Sequence, residues 1–397
     1  MNALKKLAIA VAIIVLLASA YLLGTFNASK TIAVPPAAWA NDSEAAHAWR
    51  QFVASMEAAG ARLFAASKND RDQREGIAYL AQMASVSLEM KLAKGDVADP
   101  VFTNWMSDYR KFLGDSPDAI YHTAEVSPAF DYQITGNVGD IEYLSFALYG
   151  TSLNGWNRPA DNVSKQSIHF DDAGNFTIIL SKTKPAGSNI DWLQLEGDIH
   201  LVMVRQYDHN RSQKQGATFT IRNLTPPPFI PPSDSDIATR LNNATVFFND
   251  TLDGAIALAK ILSPGANHID PPKSYSADFG GIFYPTDDNL YYGSWFNLEE
   301  DEALIIEGAV PDAPYWSISL QNRWMQSLDY EHEQVSLNGA EISSEGGRYR
   351  VVVSHRKPAT GNWLDTTGKK EGLLSIRYQL PNNSEKPSIR MVKFDSL

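Results

Sequence analysis

Two arginines set inside apolar strands are the residues whose chemistry most needs explaining. Arg205 follows Leu201-Val202-Met203-Val204, and Arg377 follows Leu373-Leu374-Ser375-Ile376. A guanidinium keeps its charge at any ordinary pH and is rarely buried unpaired. Each therefore needs a carboxylate, such as Asp198 or Asp365, or a bound anion. Strand alternation sends Leu373, Ser375 and Arg377 to one face and Leu374, Ile376 and Tyr378, the core set, to the other. Aromatic residues with polar neighbours extend the expected site: Trp363 between Asn362 and Asp365, Arg323 beside Trp324, and Tyr291, Tyr292 and Trp295 on one strand. Tyr291 and Tyr292 are adjacent, so a regular strand must aim them at opposite faces. Flat rings, an amide and a guanidinium are the equipment for holding a carbohydrate or a planar organic molecule. The expected ligand-binding set is Arg323, Asn362, Trp363, Asp365 and Arg377 with Tyr291 and Trp295, all in the C-terminal part of the chain.

Other constellations are weaker. Ser181-x-x-Lys184 and Ser354-x-x-Lys357 have a serine–lysine nucleophile spacing, but each ends a strand before Pro185 or Pro358, where the two side chains need not converge. Glu299-Glu300-Asp301-Glu302 and Asp171-Asp172 read as solvated turns without a calcium-loop spacing. Only Glu331-His332-Glu333 sets a histidine among acids, so neither a metal nor a cofactor is expected. No G-x-S-x-G elbow, H-E-x-x-H, Walker loop or G-x-G-x-x-G occurs. Binding of a small ligand is the leading expectation. The alternatives are an envelope or extracellular hydrolase or lyase using carboxylates or Arg377 with Tyr330, and a structural envelope protein.

The elements that position these residues follow from pattern. The chain has 397 residues, is 44% apolar and 20% charged, and carries a net charge of −12, which suits a globular protein and excludes nucleic acid as a natural partner. With no cysteine it has neither disulfides nor thiol chemistry. Leu7 to Phe26 is an uncharged run behind Lys5 and Lys6, about 30 Å long as a helix, which predicts a transmembrane anchor with the remainder in the periplasm or outside the cell. Ala18-Ser19-Ala20 offers the competing reading of a cleaved signal peptide and a secreted product. Helical periodicity follows a cap at Asp42 or Ser43, runs again from about Arg71 to Lys94, and returns from roughly Asp234 to Leu262 after the stiff Pro226–Pro232 connector. Strand texture fills Phe130 to Leu224 and Phe279 to the end.

These two strand-rich regions look like copies. A shift of 172 positions sets Gly136, Asp140, Tyr143, Ser145 and Arg205 on Gly308, Asp312, Tyr315, Ser317 and Arg377. The expected fold is α+β: two related antiparallel β-sandwich, jelly-roll-like units, each preceded by helices, behind the N-terminal helix. The expected boundaries are 1–28 for the anchor or signal, 42–125 for a helical region, 126–225 for the first sandwich, 226–274 for linker and helix, and 275–397 for the second sandwich.

At the second copy, Tyr315-Trp316-Ser317, Asn362-Trp363-Leu364-Asp365-Thr366-Thr367-Gly368, Gly372 and Arg377 resemble the C-terminal domain of the bacterial family called domain of unknown function 1214. The resemblance covers about residues 275 to 397. Lys111-Phe112-Leu113-Gly114-Asp115-Ser116-Pro117-Asp118 and the first strand copy are similar to the N-terminal portion of longer members, whose companion domain is numbered 1254. The resemblance implies a fold rich in β-sandwich and brings no activity with it.

Overall fold

The computed structural model describes residues 43–151, 157–187, 190–210, 216–269, 284, 286, 289–382 and 385–397. The expected N-terminal anchor or signal, 1–28, lies outside them. Among the described residues no helix is long and apolar enough to cross a membrane. The class is α+β: mostly antiparallel sheet, with three long helices among the described residues.

Each helix begins where a side chain can take over orphan backbone donors. Ser43 caps α1 (Glu44–Ala66), accepting from the Ala46 amide, and Asn69 caps α2 (Asp70–Leu88), accepting from the Asp72 amide. α2 runs on into a wider π-type turn, Glu89–Ala93. Ser233 and Asp236 form a reciprocal capping box that starts α3 (Asp234–Leu262) directly after the proline connector. The helices bury Phe52 and Leu63, Tyr79 and Met83, and Phe248, Leu252 and Leu258 in one core.

Each β unit has two sheets, and the strand orders repeat. In the first unit, β1 (Thr103–Asn104), β2 (Ala119–Glu125), β8 (Leu201–Tyr207), β4 (Tyr143–Thr151) and β5 (Asn157–Ser164) form one sheet, in that order. Its companion is β7 (Asp191–Gln194), β6 (Asn175–Ser181), β3 (Tyr132–Asn137) and β9 (Thr218–Asn223). In the second unit, β10 (Asn289–Asn297), β17 (Glu371–Gln379), β12 (Tyr315–Gln321) and β13 (Ser336–Asn338) repeat the order β2-β8-β4-β5. β16 (Asn362–Asp365), β15 (Arg348–Ser354), β11 (Glu302–Ala309) and β18 (Ser388–Lys393) repeat β7-β6-β3-β9, with a short β14 (Ser344–Glu345) added beside β15. Even the one parallel pair recurs, β6 with β7 and β15 with β16.

Each unit closes its own apolar core between its two sheets. Leu144, Phe146, Val202 and Val204 meet Ile134 and Ile178 in the first, and Ile318, Leu374, Ile376 and Tyr378 meet Leu304, Ile306 and Val351 in the second. β4, β8 and β12 are buried along nearly their whole length on both faces, which explains their unbroken apolar texture. Their outer faces meet between the units, where Tyr143, Tyr207 and Tyr315 cluster. That same space joins the helical core through Tyr121, Tyr149, Met203, Trp295, Met325 and Leu373. The face of Arg377, expected as the surface of one sandwich, is thus covered by the other.

Candidate functional site

β8 and β17 place Arg205 and Arg377 at matching points of the facing sheets. Arg205 lies across from Tyr121 on β2 and Ser145 on β4; Arg377 lies across from Tyr291 on β10 and Ser317 on β12. Between the sheets is a cavity of about 90 Å³, enough for several waters or a small organic molecule. Its polar lining includes both arginines, Tyr121, Tyr207, Tyr291 and Gln321; Trp105, Leu113, Met203, Leu258, Met325 and Leu373 supply apolar walls. Ser375, on a strand paired on both sides, is only half-buried because it faces this space.

The electrostatics are unusual for an interior. Arg205 is 3% exposed and Arg377 6%. Arg205 Nη2 donates to Tyr149 Oη at 2.8 Å and to the Tyr284 carbonyl, while Nη1 is buried and donates to nothing. Arg377 is better supplied: Nε donates to Ser375 Oγ at 3.2 Å, Nη1 to Tyr121 Oη at 3.3 Å, and Nη2 to the carbonyls of Gly114 and Asp115. Every one of these partners is uncharged. Burial works against both guanidinium charges, and the net upward movement of both pKa values comes from the charge the neighbouring phenols would carry if ionised. Burial also raises the phenols of Tyr207, Tyr284 and Tyr291, so they remain neutral hydrogen-bonding groups. Asp115 interacts electrostatically with Arg377, yet its carboxylate is turned to Ser327, accepting from the amide at 2.8 Å and the hydroxyl at 2.5 Å. Burial pushes the Asp115 carboxyl up against these hydrogen bonds. Among the described residues no aspartate, glutamate or histidine lines the cavity.

Of the residues expected from sequence, only Tyr291 and Arg377 come together here. Arg323 pairs with Asp72 and Glu371 and lies over the Trp295 ring, 5.4 Å from its centre; Trp295 Nε1 also donates to Glu371. That cluster ties α2 to β17. Asn362, Trp363 and Asp365 lie on β16 in the second unit's other sheet, not beside Arg377. Asn362 bridges Ser343 and Arg350, and Asp365 accepts from the Thr367 amide. Trp363 Nε1 donates to Ser354 Oγ at 3.0 Å, just as Trp192 Nε1 does to Ser181 Oγ at 3.0 Å. Both serines in turn donate to a carbonyl two residues on, so the serine–lysine spacing marks a duplicated strand-end latch. Neither proposed acid reaches its arginine: Asp198 holds Arg158 and the Thr151 amide, and Asp365 is in its turn. Tyr330 sits over Lys111 and donates to Asp108, outside the Arg377 cavity. Asp329, Glu331 and His332 bring exposed ligand atoms within 4.8 Å of one another, with His332 hydrogen-bonded to Asp329.

Sequence reasoning missed Tyr121, Tyr149, Tyr207, Gln321 and the Leu113-Gly114-Asp115 turn. Leu113 and Gly114 both adopt positive φ, 53° and 72°, and the turn presents the Gly114 and Asp115 carbonyls to Arg377. The available signal was Tyr121, which shares a strand pair with Arg205 as Tyr291 does with Arg377.

The chain is similar to a structure of an uncharacterized protein from Burkholderia cenocepacia, at 27% identity and a TM-score of 0.82, over 88% of this chain and 98% of that one. A looser likeness, to the VPA0106 protein of Vibrio parahaemolyticus, has 11% identity and a TM-score of 0.47 over 80% and 98% of the two chains. A search of curated proteins found no match. The family model described as a protein of unknown function, DUF1214, matches residues 123–210 as well as 284–383. The resemblance seen in the second strand region thus extends to the first, with one matched segment in each β unit.

Proposed function

We propose that this protein binds a small organic anion in the cavity between its two β units. One observation carries the reading: two buried arginines face a shared cavity, and their hydrogen-bond partners are all neutral. A buried charge without a hydrogen-bonded counter-charge is costly, and an anion entering the cavity would supply one to Arg205, the less satisfied of the two. The apolar walls favour an organic anion, and the uncompensated charge disfavours a neutral carbohydrate. Among the described residues the lining holds no carboxylate or imidazole to act as general base, which favours binding over hydrolysis or lyase chemistry. The ligand is no larger than about the size of benzene, for which a cavity of about 150 Å³ suffices.

Titration calorimetry with acetate, propionate, phosphate and glucose tests the reading. We expect at least one carboxylate to bind at one site per chain, more weakly at high salt. Binding of glucose with no response to any anion would overturn it. The Leu7–Phe26 run supports export on a membrane anchor, and the paired sheets support a jelly-roll-like description of each unit. Similarity of the first region to the family numbered 1254 rests on the Lys111–Asp118 segment.

A further inference from the structure

The cavity holds an empty acceptor as well as an empty donor. Gln321 has 0% exposure and lines the cavity at the end of β12. Its Nε2 donates to the Asp115 carbonyl at 3.2 Å, which fixes the amide orientation and leaves Oε1 as the free end. That Oε1 is buried and accepts nothing. It shares the Gly114 side of the cavity with Arg377: a Cβ added at Gly114 would stand 3.7 Å from Gln321 Oε1 and 3.6 Å from Arg377 Nη2. The unfilled positive donor, Arg205 Nη1, belongs to a residue that lines the same cavity from the first unit.

We propose that Gln321 makes the site selective for short hydroxycarboxylates over the corresponding plain carboxylates. This rests on the anion reading above. The carboxylate accepts from Arg205, and the hydroxyl donates to Gln321 Oε1. A ligand without the hydroxyl leaves a buried carbonyl oxygen unpaired, while a ligand without the carboxylate leaves the guanidinium uncompensated. Plain acids enter but bind more weakly, and neutral alcohols do not bind. Glycine at position 114 takes the positive φ of 72° that the turn needs, and a Cβ there would rest in ordinary van der Waals contact with Gln321 Oε1 and Arg377 Nη2.

The test is calorimetry of lactate against propionate and of 3-hydroxybutyrate against butyrate, on the wild type and on Gln321→Met. We expect one hydroxy acid to bind the wild type between about 5-fold and about 100-fold more tightly than its plain counterpart, the range for stranding one buried acceptor. In Gln321→Met that ratio falls to about one while the plain acid still binds. Equal affinities within both pairs in the wild type would overturn the selectivity and leave anion binding standing. No binding by any of the four acids would overturn the anion reading and this inference with it. A ratio that survives in Gln321→Met would remove Gln321 from the role. The wild-type ratio decides the matter if the variant does not fold.

Discussion

Arg205 and Arg377 occupy the same place in two copies of one strand pattern, yet their surroundings differ. Arg377 has three of its nitrogens engaged by hydroxyl and carbonyl oxygens, whereas Arg205 has one nitrogen engaged and Nη1 empty. The neighbouring positions differ as well. Where β2 and β8 pair Thr123 with Met203, β10 and β17 pair Gly293 with Ser375. The second sheet has therefore been hollowed and the first has kept its bulk, so the cavity is carved mainly from one copy. Duplication supplied two like-charged groups across a seam. Divergence then let one be held by the protein and left the other to be completed by something else.

A third arginine sets the scale for this comparison. Arg323 is 7% exposed, as deeply placed as the other two, but it has acids for partners in Asp72 and Glu371. Arg323→Ala strands both and should destabilise the fold by about 3 to 5 kcal/mol, read by urea denaturation. A loss under about 1 kcal/mol would show that acid pairing is not what separates it from Arg205 and Arg377.

The next largest effect divides the units by pH. His122, on β2, has its pKa lowered to about 4 by burial, and its Nδ1 has no partner; the matching position on β10 is Tyr292, which cannot take up a proton. The folded state disfavours the imidazolium. The stability that His122 contributes is thus complete above the unfolded value of about 6.5 and is lost as the pH falls towards about 4. The loss amounts to about 3 kcal/mol, and His122→Leu should remove it from the difference between denaturation curves at pH 7 and pH 4. Parallel pH dependence in variant and wild type would contradict this.

Arg377→Met frees the carbonyls of Gly114 and Asp115 from a donor and should cost about 1 to 3 kcal/mol, measured by thermal melting without ligand. If Arg377→Met proved as harmless as the matching change at Arg205, the difference in hydrogen bonding between the two copies would have no energetic content.

Much of the fold could be read from the sequence because it depends on local signals. Asp42 or Ser43 and the 3.6-residue periods announce helices, and the aligned glycines, tyrosines and serines announce the repeat. Alternation also placed Arg377 opposite Leu374, Ile376 and Tyr378, and sent Tyr291 away from Tyr292, which lies in the second core. The site was only partly legible because its pieces come from elements far apart in sequence. Gly114 reaches Arg377 from 263 residues away, and Tyr284 reaches Arg205 from 79. Trp363 and Asn362 were attractive by residue type alone. Their hydrogen bonds are spent on Ser354, Ser343 and Arg350 at a strand end, and the twin Trp192–Ser181 bond shows that this use belongs to the repeat. Residue type shows what a side chain can do, but its partners decide whether it is available.

The central claim is that Arg205 is a buried charge held ready for an anion, and a melting comparison of Arg205→Met with the wild type, with and without propionate, tests it most directly. Replacing an uncompensated buried charge by an apolar side chain of similar length should leave the ligand-free melting temperature equal or higher, because relief of desolvation offsets the loss of two neutral acceptors. The same variant should lose the rise in melting temperature that propionate gives the wild type. A ligand-free variant several kcal/mol less stable than the wild type, or one that still responds to propionate, would contradict the account.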